Sequence, residues 1–201
     1  MASIVGYHTC KQGGGWSFIG SEAPFLSGSG HRQWLTQGYY FWTDSDHYAI
    51  EWGQKNKKYD GTYAIVKCKI EIDDDDFFDL VGSVKHQLYF RRELAKYRSR
   101  LERAGRNPKE LTVSNTLRLL RAKQAETNGY FPFVAIKAQD DPEGKTCFYV
   151  TGDNDRRERM PILTRQQICL FESGYKYIVE KEIVHPDCND EDFYQGYENQ
   201  G

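Results

Sequence analysis

Apolar and polar positions alternate most clearly over residues 62–72, TYAIVKCKIEI. Ala64, Val66, Cys68, Ile70 and Ile72 fall on one face, and Lys67, Lys69 and Glu71 on the other. A period of two, rich in β-branched residues, predicts a half-buried strand. A shorter strand is expected at 3–9 (SIVGYHT), and another ends in the aromatic run Tyr39-Tyr40-Phe41-Trp42. The period then lengthens. Thr43, with Asp44 and Asp46 behind it, reads as the cap of a helix reaching about Trp52 and stopped by Gly53, because acids favour the positive end of a helix dipole. Between the first strand and the aromatic run, residues 11–38 are rich in Gly, Ser and Gln and are expected to form a long loop with at most a short helical turn.

Past the DDDD run at 73–76 the spacing turns helical. Phe90, Leu94, Tyr97 and Leu101 predict a long helix over about 84–103, broken by AGRNP. A second helix is expected over about 115–125, with Ser114 as its cap and Val113, Leu117 and Leu120 facing inward. After Gly129 strands return at 131–138, 146–152, 166–171 and 175–184. Strands, helices, then strands again, without a regular βαβ rhythm, predict an α+β fold. The segment 185–201 is acidic and weakly periodic and is expected to be a poorly ordered tail.

Charge changes this picture more than composition does. The formal net charge is −2, yet residues 85–123 hold twelve Lys or Arg against three acids, leaving +9 there. The rest of the chain has fifteen basic and twenty-six acidic residues. A basic helical block in an acidic chain says something about partners. Aromatic residues Tyr89, Phe90 and Tyr97 interleave the cations, and clustered arginines that neutralise phosphates suit RNA or DNA. Arg91, Arg92, Arg98, Arg100, Arg103 and Arg106 are the candidate nucleic-acid contacts; a solvated charged face is the plainer alternative. The five cysteines are scattered and never form CxxC, which points to a reducing, cytoplasmic setting. HPDC at 185–188 offers one His–Cys pair with no second pair, so no metal site is expected. No run of about 18 apolar residues suggests a membrane span, and the start MASIVGYHTC lacks the pattern of a secretory leader.

Three pieces carry the candidate chemistry: Tyr7-His8-Thr9 at a strand end, Gly38-Tyr39-Tyr40-Phe41 before a helix bearing Ala49, and Arg165-Gln166-Gln167-Ile168-Cys169-Leu170-Phe171 before SGYKYIVEKEIV. Together they resemble the ADP-ribosyltransferase superfamily, in the His-Tyr-Glu branch that holds diphtheria-toxin-like and poly(ADP-ribose)-polymerase-like enzymes. The resemblance spans about residues 4–72 and 130–184. It implies a split antiparallel β-sheet core in a domain over residues 1–184, with residues 84–125 as a basic helical insertion.

It further implies NAD as substrate and no metal. His8 would contact a ribose of NAD with Thr9 beside it, and Tyr40 would stack on nicotinamide. A cationic ring over a tyrosine face is worth about 1–2 kcal/mol when dry. Tyr48 falls where the family contacts the nicotinamide amide, and Glu51 where relatives have a second stacking tyrosine, unless Trp52 supplies that ring. The Gly-rich segment 13–30 has two readings, a donor-covering loop over NAD with His31 or Arg32 near the pyrophosphate, or a plain flexible connection. Gln167 falls where the family has its catalytic glutamate, keeping an acceptor oxygen but losing the charge; Gln166 or Glu172 would take that place if the register slipped by one. The implied activity is mono-ADP-ribosyl transfer to a macromolecule, nucleic acid favoured, as in bacterial toxins or phage-defence effectors, with an antitoxin or inhibitor protein as a further partner. A protein-targeting transferase, an NAD glycohydrolase and a catalytically dead NAD- or nucleic-acid-binding module remain open.

Overall fold

The computed structural model describes residues 1–30, 33–140, 147–151 and 158–186. The chain runs β1 (Ala2–Lys11), α1 (Gly15–Glu22), β2 (Tyr39–Thr43), α2 (His47–Lys55), β3 (Tyr63–Ile72), β4 (Phe77–Asp79), α3 (Val84–Arg103), α4 (Val113–Glu126), β5 (Ala135–Asp140), β6 (Cys147–Thr151), β7 (Glu158–Ile162), β8 (Arg165–Leu170) and β9 (Ile178–His185). Short 3-10 turns join several of these. The class is α+β. Seven strands form one mixed sheet in the order β4-β5-β8-β2-β1-β3-β9, and β6 and β7 form a separate hairpin. Only β4 and β5 pair in parallel; the remaining neighbours are antiparallel.

Each sheet face is covered by different helices, and this sets three apolar clusters. On one face α1 delivers Ile19 against Phe41, Val66, Cys68, Ile70, Ile168 and Leu170. On the other face Phe90 and Tyr97 of α3 and Leu117 and Leu120 of α4 pack with Phe78, Phe131 and Ile136. Also on that second face, α2 lays Ala49 against Trp42, Tyr63 and Ile65. The basic block expected as an insertion therefore closes one side of the core. The cations of α3 face outward, as its apolar spacing requires.

Several boundaries differ from the sequence expectation, each for a local reason. Residues 15–22 of the expected loop form α1, entered through Gly14 and Gly15, both at positive φ, with Ile19 as its one buried side chain. Helix α2 begins at His47, four residues after Thr43, which is still in β2, because Asp44 turns the chain at φ 66°. It also runs through Gly53, whose missing side chain makes room for the ring of Tyr63. Thr112, not Ser114, caps α4: its hydroxyl accepts from the Asn115 N–H at 3.1 Å, while Ser114 is buried in the first turn. Strand β5 starts at Ala135, since Phe131 and Phe133 turn inward to join Phe78 in an aromatic cluster. Strands β4 and β7 had no clear period in the sequence. Of the expected acidic tail, residues 187–201 lie outside the described residues.

Candidate active site in the sheet cleft

Strand β1 pairs with β3 along its whole length, from Ala2–Ile72 to Lys11–Tyr63. With β2 it pairs at only two positions, Gly6–Thr43 and Tyr7–Trp42. Gly6 allows this close approach, because a Cβ there would sit 2.8 Å from Cβ of Phe41. Beyond Tyr7 the strands part, β1 staying with β3 and β2 with β8. The sheet opens into a cleft at that point.

His8 bridges the parting strands. Its Nδ1–H donates to the Tyr40 carbonyl at 2.9 Å, and its Nε2 accepts the Phe25 N–H at 3.1 Å. A backbone carbonyl only accepts and a backbone N–H only donates, so the ring is held as one neutral tautomer. The side chain is buried, which disfavours the imidazolium and lowers its pKa to about 4. The expected contact from His8 to a ribose hydroxyl would have to displace one of these bonds. As it stands, His8 fixes the width of the cleft.

The cleft measures about 430 Å³, and its lining includes His8, Thr9, Tyr40 and Gln167. Residues picked from three distant stretches of sequence thus share one cavity, in the size range of small-molecule sites. Each has polar atoms already occupied. The Tyr40 hydroxyl donates to the Thr36 carbonyl at 2.6 Å and accepts the Leu35 N–H at 3.0 Å. Burial pushes this phenol far above its ordinary pKa, so Tyr40 offers its ring rather than its oxygen. Thr9 donates its hydroxyl to the Ala49 carbonyl at 3.0 Å, tying α2 to β1.

Gln167 lies opposite Trp42 and Ala138 in the sheet, which settles the register of β8. Its neighbour Gln166 bonds Thr164 at 2.9 Å, and Glu172 lies past the strand, paired with Arg121 at 2.6 Å. The Gln167 oxygen, however, accepts the indole N–H of Trp34 at 2.7 Å. The acceptor expected to face a sugar is therefore held by the protein, and the NH2 of Gln167 is the end left without a partner among the described residues.

Other expected residues fall differently. Tyr48 is not among the residues lining the cleft; its hydroxyl donates to the Leu163 carbonyl and its ring lies 5.6 Å from that of Trp42. Glu51 pairs with Lys55 on the exposed face of α2. Trp52, 46% exposed, does line the cleft. Arg32 lies outside the described residues. Lys11 carries the one formal charge among the described lining residues, with no carboxylate beside it, so the cleft favours an anionic ligand.

Trp34 and Lys11 were missed by sequence reasoning. A tryptophan in a Gly- and Gln-rich loop, unexplained by any apolar period, was the available signal for the first. A third missed residue is Arg121. Its guanidinium donates to the Thr36 hydroxyl at 2.8 Å and the Gln37 carbonyl at 3.1 Å, and lies 4.2 Å over the ring of Phe171. It holds the loop that carries Trp34 and caps the Tyr40 hydroxyl. Thr36 sits there at φ 74°, rare for a β-branched residue.

The six candidate arginines are all exposed and do not share one groove. Arg100 and Arg106 line a groove between the ends of α3 and α4, whereas Arg92 lines a separate depression with Lys85, Asp74 and Asp75. Arg91, Arg98 and Arg103 line neither. Among the described residues no group of three or more His, Cys, Asp or Glu gathers as a metal site, and no helix is long and apolar enough to cross a membrane. Comparison of the chain with protein-family models, curated proteins and solved structures returned no match.

Proposed function

We propose that the protein is a mono-ADP-ribosyltransferase that takes NAD into the cleft between β1 and β2 and transfers ADP-ribose to a macromolecule, nucleic acid being the favoured acceptor. One observation carries this reading: His8, Tyr40 and Gln167, far apart in sequence, line one cleft where the sheet splits. The charge of Lys11 suits a pyrophosphate, and the rings of Tyr40 and Trp52 suit the flat, cationic nicotinamide ring of NAD before it leaves. In the transfer, the bond from C1′ of the nicotinamide ribose to the ring nitrogen breaks, and its electron pair leaves with nicotinamide. The acceptor nucleophile forms the new bond to C1′ and gives its proton to water. Without a carboxylate facing the developing cation, much of the driving force must come from the acceptor. A role as a toxin or phage-defence effector, restrained by an inhibitor protein, fits such a chain.

A second reading is a module that binds NAD without transferring it. It is favoured by the internal bonds that occupy both nitrogens of His8, the hydroxyl of Tyr40 and the oxygen of Gln167. The pure protein incubated with NAD labelled in its ADP-ribose half and with cell lysate separates these readings. A transferase yields labelled macromolecule, lost on digestion with RNase or DNase if the acceptor is nucleic acid and with protease if it is protein. A glycohydrolase yields free ADP-ribose, and a binding module neither.

A further inference from the structure

The groove at the open end of the helical pair has the build of a second ligand site. Its volume is about 540 Å³, with Leu101, Leu111 and Leu119 on its floor and Arg100, Arg106 and Arg118 around it. Leu119 is 45% exposed although its neighbours Leu117 and Leu120 are fully buried, so apolar surface is left facing the groove. The Arg100 guanidinium lies 5.4 Å over the ring of Tyr97, which holds its fork in place. Glu110 is the only acid among the described lining residues, and it is taken by Arg106 at 2.8 Å. Net positive charge over an apolar floor is the combination that binds unstacked bases together with their phosphates.

We propose that this groove docks a single-stranded nucleic acid, a statement that rests on the reading of nucleic acid as the acceptor. A duplex presents phosphates but keeps its bases stacked, so it leaves the leucine floor uncovered. A single strand can turn a base onto the floor and lay its phosphates on the arginine forks. The groove is tied to the cleft. Arg118 donates to the Gly30 carbonyl at 3.1 Å, and the loop beyond Gly30 brings Gln33 and Trp34 to the cleft wall.

The test is fluorescence anisotropy of a labelled single-stranded RNA of mixed sequence against the full chain, without NAD, over a range of salt. Wild type should bind it more tightly than the same RNA as a duplex, with a log–log salt slope of about −1.4 for the two net positive charges of the groove. The double variant Arg100→Glu, Arg106→Glu should lose at least about tenfold in affinity. Arg91→Glu with Arg98→Glu, an equal charge change outside the groove, should lose much less. Thermal melting of both pairs checks that the fold is kept. Equal losses in the two pairs, duplex binding as tight as single-strand binding, or tighter binding of an acidic peptide of residues 187–201 would each overturn the proposal. Because no NAD is present, a failure here leaves the transferase reading standing, and a failed transfer assay leaves this one standing.

Discussion

The indole N–H of Trp34 donates to the side-chain oxygen of Gln167 across 2.7 Å. An indole nitrogen only donates, so the amide of Gln167 has one orientation and turns its NH2 group away from Trp34. At the position where the sequence resemblance implies a catalytic carboxylate, the chain holds a neutral amide whose acceptor oxygen is already used. The geometry leads to a direct prediction. Gln167→Glu should raise the rate of nicotinamide release by at least about tenfold, because a charge opposite a developing cation is commonly the largest electrostatic contribution. The new carboxylate would still accept from Trp34. Release is followed by chromatography, and an unchanged rate would favour the binding-module reading.

Trp34→Phe should act through Gln167. It removes one partly buried hydrogen bond, at a stability cost of about 1 kcal/mol by urea denaturation. The freed amide can then turn its oxygen to the cleft. The apparent affinity for NAD should change more from wild type to Trp34→Phe than from Gln167→Leu to Trp34→Phe combined with Gln167→Leu. Equal effects would mean that Trp34 contributes its ring alone.

His8 makes stability depend on pH in one direction. Its folded pKa, about 4, lies below the ordinary 6.5. The unfolded chain therefore binds the proton first as pH falls. The stabilisation is fully present above 6.5 and is lost as pH drops from there toward 4, amounting to roughly 3 kcal/mol over that window. His8→Gln can still donate to the Tyr40 carbonyl and accept from Phe25, and it should flatten this part of the profile. Urea melts at several pH values read the difference.

Arg121→Met should loosen the loop that carries Trp34 and caps Tyr40. The ion pair with Glu172 is partly exposed and contributes little. The bonds to the buried Thr36 and to Gln37 matter more, and their loss should cost about 1–2 kcal/mol. Arg121→Lys should restore little of it, since one ammonium cannot reproduce the fork. Hydrogen exchange at Leu35 and Gly38 would report the loosening.

Gly38→Ala should be disruptive out of proportion to its size. A Cβ at Gly38 would run into the Leu170 carbonyl oxygen and the Cys169 sulfur. Overpacking against backbone costs about 1–3 kcal/mol, and calorimetry should show the lowered melting temperature.

The same residues mark how far the sequence could be read. Strand β3 and helix α3 were legible because each has one buried face and its period is unbroken. The cleft was legible in its strand-borne members, His8, Tyr40 and Gln167, since each sits in a short motif on a strand that the residue pattern marks. What these groups bond to was not. Trp34 meets Gln167 across 133 positions, and Arg121 meets Thr36 across 85. Contacts between an irregular loop and a distant element leave no period. Tyr48 does not line the cleft although Trp52 of the same helix does, a difference in facing that depends on how α2 packs on the sheet. The arginines of α3 were counted correctly, but their division between a groove and open surface depends on how α4 packs.

Whether NAD occupies the cleft is best decided by following the four tryptophan indole N–H resonances during a titration with NAD. Trp34, Trp42 and Trp52 line the cleft, while Trp16 packs against the α1 face of the core. The account predicts saturable shifts at Trp34 and Trp52, with Trp42 following and Trp16 unmoved. No shift at millimolar NAD, or a shift confined to Trp16, would contradict it.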